Sequence, residues 1–236
     1  MEEILWAVWP WIGFGGGVVL LLLLFFSDYL QNDKSISRWH DYTWLSWFMV
    51  AAYLIHVVEE YGIHFVDGQY LLIQQFIDMG INALFGGIPL LFFPYVNIML
   101  TWIAFPIAAI VSRKHPVLGL STVGFVLVNG LTHLLGTVTS GDIVNSYGSV
   151  TGIFLFLPLA LWIIYTAIND NVLPSKGIWI ALVSGIIGHI GLFSVYIVNK
   201  FIGHGIVFFY VPFVAFISII VDWILLRVCD VNEDIL

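Results

Sequence analysis

The sequence has very few charged residues for its length. Of 236 residues, 15 are acidic and 7 are Lys or Arg, whereas 61% are hydrophobic and the mean hydropathy is +1.02. Soluble domains carry about 25% charged residues, and a chain with 9% cannot cover a surface that faces water. The composition therefore excludes a soluble globule and predicts the lipid bilayer as the main partner of the chain.

Basic residues and cysteine are also scarce. With a net charge of −8 and a pI near 5.1, the chain offers no basic surface to phosphate, so we expect no nucleic-acid partner. The single cysteine, Cys229, excludes an internal disulfide and a cysteine-based zinc or iron–sulfur site. Metal binding by the chain would therefore rely on histidine and carboxylate side chains.

Long apolar runs predict an all-α, polytopic transmembrane helix bundle that forms a single domain over residues 1–236. A run of about 20 apolar residues is enough to cross a bilayer as a helix. The clear runs are Ile4–Phe26, Tyr42–Tyr61, Val117–Val138, Thr151–Ile168, Ile178–Val198 and Gly205–Leu226. The segment Tyr70–Ser112 could hold two short crossings, which gives eight helices. It could instead hold an interfacial or re-entrant stretch at Tyr70–Asn82 and one crossing, which gives seven.

The distribution of basic residues favours seven helices over eight. With eight helices, the basic residues divide four to three between the two sides of the membrane. With seven, Lys200 is alone on one side and six basic residues share the other, namely Lys34, Arg38, Arg113, Lys114, Lys176 and Arg227. Lys and Arg accumulate on the cytoplasmic side of membrane proteins. The sequence therefore predicts seven helices, with the N-terminus outside and the C-terminus in the cytoplasm.

The second predicted helix ends in polar residues that the membrane interior penalises. His56, Glu59 and Glu60 stand at i, i+3 and i+4, so they can project from one helix face. A charged residue at the centre of a membrane helix costs roughly 2.5–3.5 kcal/mol. Imidazole and carboxylate at this spacing can reach one metal ion, which would justify that cost. Alternatively, the helix ends at the membrane boundary and the glutamates simply face water.

The fourth predicted helix carries a second polar pair, and the sixth carries a lone histidine. Asn129 and His133 could hydrogen-bond to another helix or join a metal site with His56. Flanking glycines leave His189 room to act as a further ligand. With seven helices, the second, fourth and sixth run in one direction, so His56 and His133 lie in the outer half of the membrane and His189 lies near its middle. Eight helices would separate His133 from His56. The remaining histidines are expected in loops or at the interface: His40, His64, His115 and His204.

The two polar motifs resemble those of the HXXEE family of integral membrane proteins. His56-Val57-Val58-Glu59-Glu60 matches the motif that names the family, and Asn129-Gly130-Leu131-Thr132-His133 matches its second motif, NxxxH. Family members also tend to carry a Tyr-x-Pro-Gly-x-x-Thr turn. Residues 145–151 keep its glycine and threonine, lack its proline and have the tyrosine displaced. The resemblance covers about His56 to Tyr165, within an HXXEE-like core over residues 42–168, and implies a membrane enzyme.

The site residues favour a metal-dependent membrane enzyme, and a hydrolase first. His56, His133 and one glutamate, Glu60 by preference, would hold a divalent metal such as zinc, with His189 as a possible further ligand. The other glutamate, Glu59, would act as general base on water that the metal activates. Asn129 would orient the His133 ring or hold a substrate carbonyl. The substrate would be a lipid or another apolar molecule.

Two other classes of function stay open on the sequence alone. An oxidoreductase could hold two irons or a haem with the same histidines, although membrane di-iron enzymes usually need more ligands. An ion- or proton-coupled carrier could use Glu59, Glu60 and Asp78, although the sequence shows no internal repeat. Retinal binding is excluded because the seventh predicted helix has no lysine.

Overall fold

The computed structural model describes residues 2–63, 92–143 and 147–228 of the chain. Within these ranges the chain forms seven long helices and no strand. They are α1 (Glu2–Phe26), α2 (Tyr42–Tyr61), α3 (Phe92–Val111), α4 (Ser121–Ser140), α5 (Ser149–Asn169), α6 (Gly177–Ile202) and α7 (His204–Val228). Single helical turns at Arg38–His40 and Pro116–Gly119 precede α2 and α4. The predicted all-α bundle is confirmed, and the predicted apolar runs match the helices to within about one turn.

Six of the seven described long helices are long and apolar enough to cross a membrane, and α2 is the exception. Large hydrophobic side chains on these six helices point outward, and Phe26, Phe201 and Phe209 are 84%, 77% and 80% exposed. Such a surface is unfavourable in water but suits contact with lipid. The six helices indicate a multi-pass membrane protein.

The helix α2 lies at the centre of the bundle, which explains how it can carry polar residues. Sixteen of its twenty residues are buried, and it packs against α1, α3, α4 and α5. Its N-terminus is fixed by Asp41, whose carboxylate accepts a hydrogen bond from the Trp44 backbone N–H and two more from the loop before α2. The polar last turn of α2 therefore faces other helices rather than lipid.

The helices α2 and α3 run in opposite directions. The backbone carbonyl of Arg113, just after α3, accepts a hydrogen bond from Asn32 in the loop between α1 and α2. At the other end, the Asn97 amide near the start of α3 donates to the hydroxyl of Tyr61 at the end of α2. This antiparallel arrangement is what the seven-helix interpretation requires. The predicted interfacial stretch Tyr70–Asn82 lies outside the described residues.

The other helices alternate in the same way. The carboxylate of Asp170, after α5, accepts a hydrogen bond from the Tyr42 hydroxyl, so α5 ends where α2 begins. Near the opposite end, Ser194 of α6 and Tyr210 of α7 form a hydrogen bond. We call the end at which α2 begins the basic end. It carries the six basic residues that the sequence analysis grouped together, and Lys200 lies at the opposite end.

The helices α4 and α6 cross very closely at two glycines. A Cβ atom added at Gly124 would collide with the backbone of Ala181, and one added at Gly185 would collide with the backbone of Gly124. Small residues at a crossing let membrane helices approach in this way. One turn further along α6, the His189 ring stacks on Phe125 of α4 with the ring centres 4.2 Å apart.

A wide, π-type turn interrupts α5 at Gly152–Phe156, just before Pro158. A proline ring clashes with the carbonyl of the residue four positions earlier and removes one hydrogen bond, so the helix opens there. The opened turn presents the Phe156 ring to His56, with centres 4.4 Å apart. Such turns occur often at functional sites, and here the turn borders the candidate site.

Candidate metal centre

Three of the residues predicted from the sequence converge at the end of α2 that is remote from the basic end. His56 and Glu60 belong to α2, and His133 belongs to α4. Glu60 Oε1 lies 3.3 Å from His56 Nε2 and 3.3 Å from His133 Nε2. One ligand atom from each residue lies within 4.8 Å of the other two, so the three side chains could hold one metal ion. We call them the His/Glu group.

The His/Glu group is shielded from both water and lipid. The His56 side chain is fully buried, and those of Glu60 and His133 are 12% exposed. Aromatic rings surround His56, since Phe156 and Tyr53 have their centres 4.4 Å and 5.6 Å from that of the imidazole. A charged group in such surroundings needs a partner of opposite charge or a metal ion.

Glu59, the neighbour of Glu60, turns away from the His/Glu group and binds the start of α5. Its carboxylate accepts hydrogen bonds from the backbone N–H groups of Val150 and Thr151, at 2.9 Å and 2.7 Å, and from the Thr151 hydroxyl. The first N–H groups of a helix have no partner within the helix, and the positive end of the helix dipole favours an anion. The structure therefore does not bring Glu59 into the His/Glu group, and Glu59 instead caps α5.

Thr151 connects Glu59 to His56 and thereby fixes the tautomer of the imidazole. The hydroxyl has one proton to donate, and that proton goes to Glu59, because an ionised carboxylate only accepts hydrogen bonds. Towards His56 Nδ1, which is 2.7 Å away, Thr151 Oγ1 must then act as the acceptor. Nδ1 therefore carries a proton, and in the neutral ring His56 Nε2 carries a lone pair.

The lone pair on His56 Nε2 is the feature that points to a cation. Nε2 has no hydrogen-bond partner among the residues described, although Glu60 Oε1 lies 3.3 Å away. Two electron-rich atoms at this distance repel each other unless a positive charge lies between them. A metal ion bound to both atoms removes the repulsion. Metal-binding histidines usually donate their second N–H to an oxygen, as His56 does to Thr151.

Gly148 lies directly against the His/Glu group, in the turn that precedes α5. Its φ of +77° is in the left-handed region, which glycine adopts without strain. A Cβ atom at this position would lie 2.7 Å from His133 Cε1 and 2.8 Å from both Glu60 Cγ and His56 Cε1. Only glycine leaves the three side chains in this arrangement.

A cavity of about 310 Å³ opens beside the group, between α2, α3, α4 and α6. Glu60 and His133 form part of its wall. Half of the other described lining residues are Phe or Tyr, with Tyr53, Phe92, Phe93, Phe193 and Tyr196 among them. Asn129 also lines the cavity, and its side-chain oxygen has no hydrogen-bond partner in the described part of the chain.

His189 lies on the cavity wall, outside the His/Glu group. Its Nδ1 donates a hydrogen bond to the Gly185 carbonyl at 2.8 Å, and Nε2 has no partner within residues 2–63, 92–143 and 147–228. The ligand atoms of His56, Glu60 and His133 lie within 4.8 Å of one another, and His189 is not part of this group. The structure therefore does not bring the fourth predicted ligand together with the other three.

The remaining predicted residues lie elsewhere. The His40 ring is 2.9 Å from Asp170 at the basic end, and His115 follows α3 at the same end. His204 is the first residue of α7. His64 and Asp78 lie outside the described residues.

The sequence analysis assigned no role to Thr151 and Gly148, which contact the His/Glu group directly. These two residues are the glycine and the threonine that the chain keeps from the family's turn. Their presence in an otherwise altered turn was the signal that could have identified them. The displaced tyrosine, Tyr147, also reaches the site, because it lines the cavity.

Residues 47–163 match the sequence model of the family described as "Protein of unknown function with HXXEE motif". The match contains both polar motifs and the turn before α5, and hence the His/Glu group and Thr151. No curated protein and no solved structure shows a significant match to the chain. Residues 47–163, just under half of the chain, are therefore similar to the HXXEE family.

Proposed function

We propose that this protein is an integral membrane, metal-dependent hydrolase that acts on a lipid or another apolar substrate. One observation carries the proposal: Nε2 of His56 and Nε2 of His133 both lie 3.3 Å from the same carboxylate oxygen of Glu60. A divalent ion accounts for this arrangement better than a hydrogen bond does, because Nε2 of the neutral His56 ring, with its proton on Nδ1, has no proton to donate.

Zinc is the ion that best suits these ligands. Catalytic zinc sites commonly use three protein ligands, two histidines and a glutamate among them, and keep a fourth position open. With zinc–ligand bonds of roughly 2.0–2.1 Å, the edge of a coordination tetrahedron is about 3.3 Å. This is the separation of Glu60 Oε1 from each imidazole nitrogen.

Each residue then has a defined role. His56, His133 and Glu60 bind the ion, and Glu59 is a positioning residue that acts on His56 through Thr151. A divalent ion, when bound, would make a water molecule acidic and polarise a substrate carbonyl. The second carboxylate oxygen of Glu60 is available to accept the proton of the attacking water.

The cavity defines the kind of substrate. Its wall contains many Phe and Tyr side chains, which suits an acyl chain or a similar apolar group. The amide of Asn129 on the same wall can donate a hydrogen bond to the carbonyl of an ester or amide. The proposed substrate is therefore an ester or amide of an apolar molecule.

The alternative functions have weaker support. Glu60 Oε1 lies close to both imidazole nitrogens, so a porphyrin cannot fit between the two histidines. Di-iron carboxylate proteins use four glutamates and two histidines, and the described residues contain a single group of three ligands. For a carrier, Glu59 would need to exchange protons, whereas three hydrogen bonds fix it to α5.

Hydrolysis of a chromogenic ester tests the proposed activity. We expect the protein, purified in detergent, to hydrolyse p-nitrophenyl decanoate, to lose the activity with 1,10-phenanthroline and to recover it when zinc is restored. Glu60→Gln protein, prepared in parallel, controls for contaminating esterases and should be inactive. A preparation that contains one zinc per chain but hydrolyses neither this ester nor the matching p-nitroanilide would rule out the hydrolase while leaving the metal site intact.

We also propose that the basic end faces the cytoplasm, with the N-terminus outside, because Lys and Arg accumulate on that side. In a Cys229→Ser background, cysteines introduced at Lys34 and Arg113 should react with an impermeant maleimide only from the cytoplasmic side. A cysteine at Lys200 should react only from outside. The proposed orientation fails if Lys34 and Arg113 label from outside, and the seven-helix topology fails if Arg113 labels together with Lys200.

A further inference from the structure

The cavity beside the His/Glu group contains an acceptor nitrogen that the metal centre does not use. His189 is 8% exposed and lines the cavity, and its Nε2 is buried. Because Nδ1 donates its proton to the Gly185 carbonyl at 2.8 Å, Nε2 of the neutral ring holds a lone pair. In the part of the chain that the structure describes, no group donates a hydrogen bond to this nitrogen.

The position of this nitrogen is fixed by the packing of α6. The ring stacks on Phe125, with its centre 4.2 Å away and the two planes 22° apart. The close crossing of α4 and α6 at Gly124 and Gly185 holds the two rings against each other. His189 therefore cannot turn Nε2 toward a partner elsewhere without losing both the stacking and the bond to Gly185.

A buried acceptor without a donor is unfavourable, and buried polar groups in proteins are almost always paired. The walls around His189 are largely aromatic, so an apolar molecule can fill the cavity but cannot satisfy the nitrogen. The missing donor is therefore expected on the ligand itself. This combination defines the ligand as an apolar body with one hydrogen-bond donor.

We propose that the cavity binds an apolar molecule that carries a hydroxyl group, and that this hydroxyl donates a hydrogen bond to Nε2 of His189. This inference rests on the proposed function only in identifying the molecule as the substrate of the His/Glu group. A hydroxyl both donates and accepts hydrogen bonds, so it can also pair with the amide of Asn129 on the same wall. The substrate class is thus a hydroxyl-bearing lipid ester or amide.

Other head groups suit the cavity less well. A carboxylate would place its negative charge against the lone pair of His189 and near Glu60. An ammonium group would be attracted to the aromatic rings, but a divalent ion bound at the His/Glu group would repel it. An ether or a simple ester has no proton to donate to Nε2. A hydroxyl group pairs with His189 without introducing a charge.

Two probes of equal size test this assignment. Native mass spectrometry, which removes the detergent, would count 1-decanol and methyl nonyl ether bound to the full-length protein. We expect 1-decanol to bind about tenfold more tightly, because the ether leaves the histidine unpaired. His189→Leu should remove this preference by weakening the alcohol alone. His115→Leu is the matched control, since His115 also has a buried ring nitrogen without a described partner but lies at the basic end.

The second variant, Leu192→Trp, narrows the cavity and should weaken both probes together, so it tests the location even if His189→Leu fails to fold. Equal binding of the two probes to the unaltered protein, or a preference that survives in His189→Leu, would overturn the inference. Zinc is measured in the same samples. A preference for the alcohol without zinc would refute the proposed function alone, and zinc without a preference would refute this inference alone.

Discussion

Replacement of Gly148 by alanine is expected to abolish metal binding. The added methyl group would lie 2.7 Å from the His133 ring and 2.8 Å from both Glu60 and His56, well inside van der Waals contact. All three ligands would have to move, or the turn before α5 would have to shift away from them. Overpacking of this kind typically costs about 1–3 kcal/mol of stability, and the left-handed φ of +77° adds about 1–2 kcal/mol.

The chain offers a matched control for the backbone contribution. Gly141 has a similar φ of +70°, but a Cβ atom there would have nothing within 4 Å. Gly141→Ala should therefore lower the stability by only about 1–2 kcal/mol and leave the metal in place. Thermal unfolding and zinc content would be measured on both variants. Equal zinc content in the two would show that Gly148 does not pack against an occupied site.

Much of the fold follows from patterns that lie within single segments. The bounds of α2 were predicted as Tyr42–Tyr61 from the apolar run alone, and the structure shows Asp41, a residue type that caps helices well, directly before it. The shared location of His56 and His133 was also predictable. It needed only the helix directions, which the basic residues indicated, and a rise of about 1.5 Å per residue to compare their depths.

The roles of the two adjacent glutamates could not be derived in the same way. Successive residues on a helix point about 100° apart, so Glu59 and Glu60 had to face different neighbours. Which of them would face α4 and which would face α5 depends on how the helices pack, and the sequence of α2 does not contain this information. In the structure, Glu59 accepts hydrogen bonds from the N–H groups at the start of α5, and Glu60 lies against His133 of α4.

The position of His189 shows a related limit. It was predicted near the middle of the membrane, with His56 and His133 in the outer half, and its flanking glycines suggested room for a ligand. Those glycines instead permit close packing, since Gly188 lies against Phe125 and Ser218. The His189 ring stacks on Phe125 and donates a hydrogen bond to the Gly185 carbonyl, and these two contacts hold it on the cavity wall. Depth could be read from the sequence, but the direction of the side chain could not.

The two glutamates are expected to respond very differently to the same substitution. Glu60→Gln replaces a charged ligand by a neutral amide and should remove the metal from the protein. Glu59→Gln keeps all three ligands but places an amide against N–H donors of α5, so it should weaken metal binding about 10–100-fold. It should also lower the stability by roughly 1–3 kcal/mol, because buried donors lose their partner.

The histidines provide the remaining contrast. His56→Ala and His133→Ala should each remove the metal, although 77 positions separate the two residues, because both nitrogens face the same Glu60 oxygen. His115→Ala, at the opposite end of the bundle, should retain it. Size-exclusion chromatography and circular dichroism would establish that the variants are folded before their metal content is compared.

The measurement that tests the central claim most directly is elemental analysis of the full-length protein after dialysis against a small excess of zinc. The His/Glu group predicts one zinc per chain in the unaltered protein, in Glu59→Gln and in His115→Ala. It predicts none in His56→Ala, His133→Ala or Glu60→Gln. An unaltered protein without zinc or any other stoichiometric divalent metal, or full metal content in a folded variant of any of the three ligands, would contradict it.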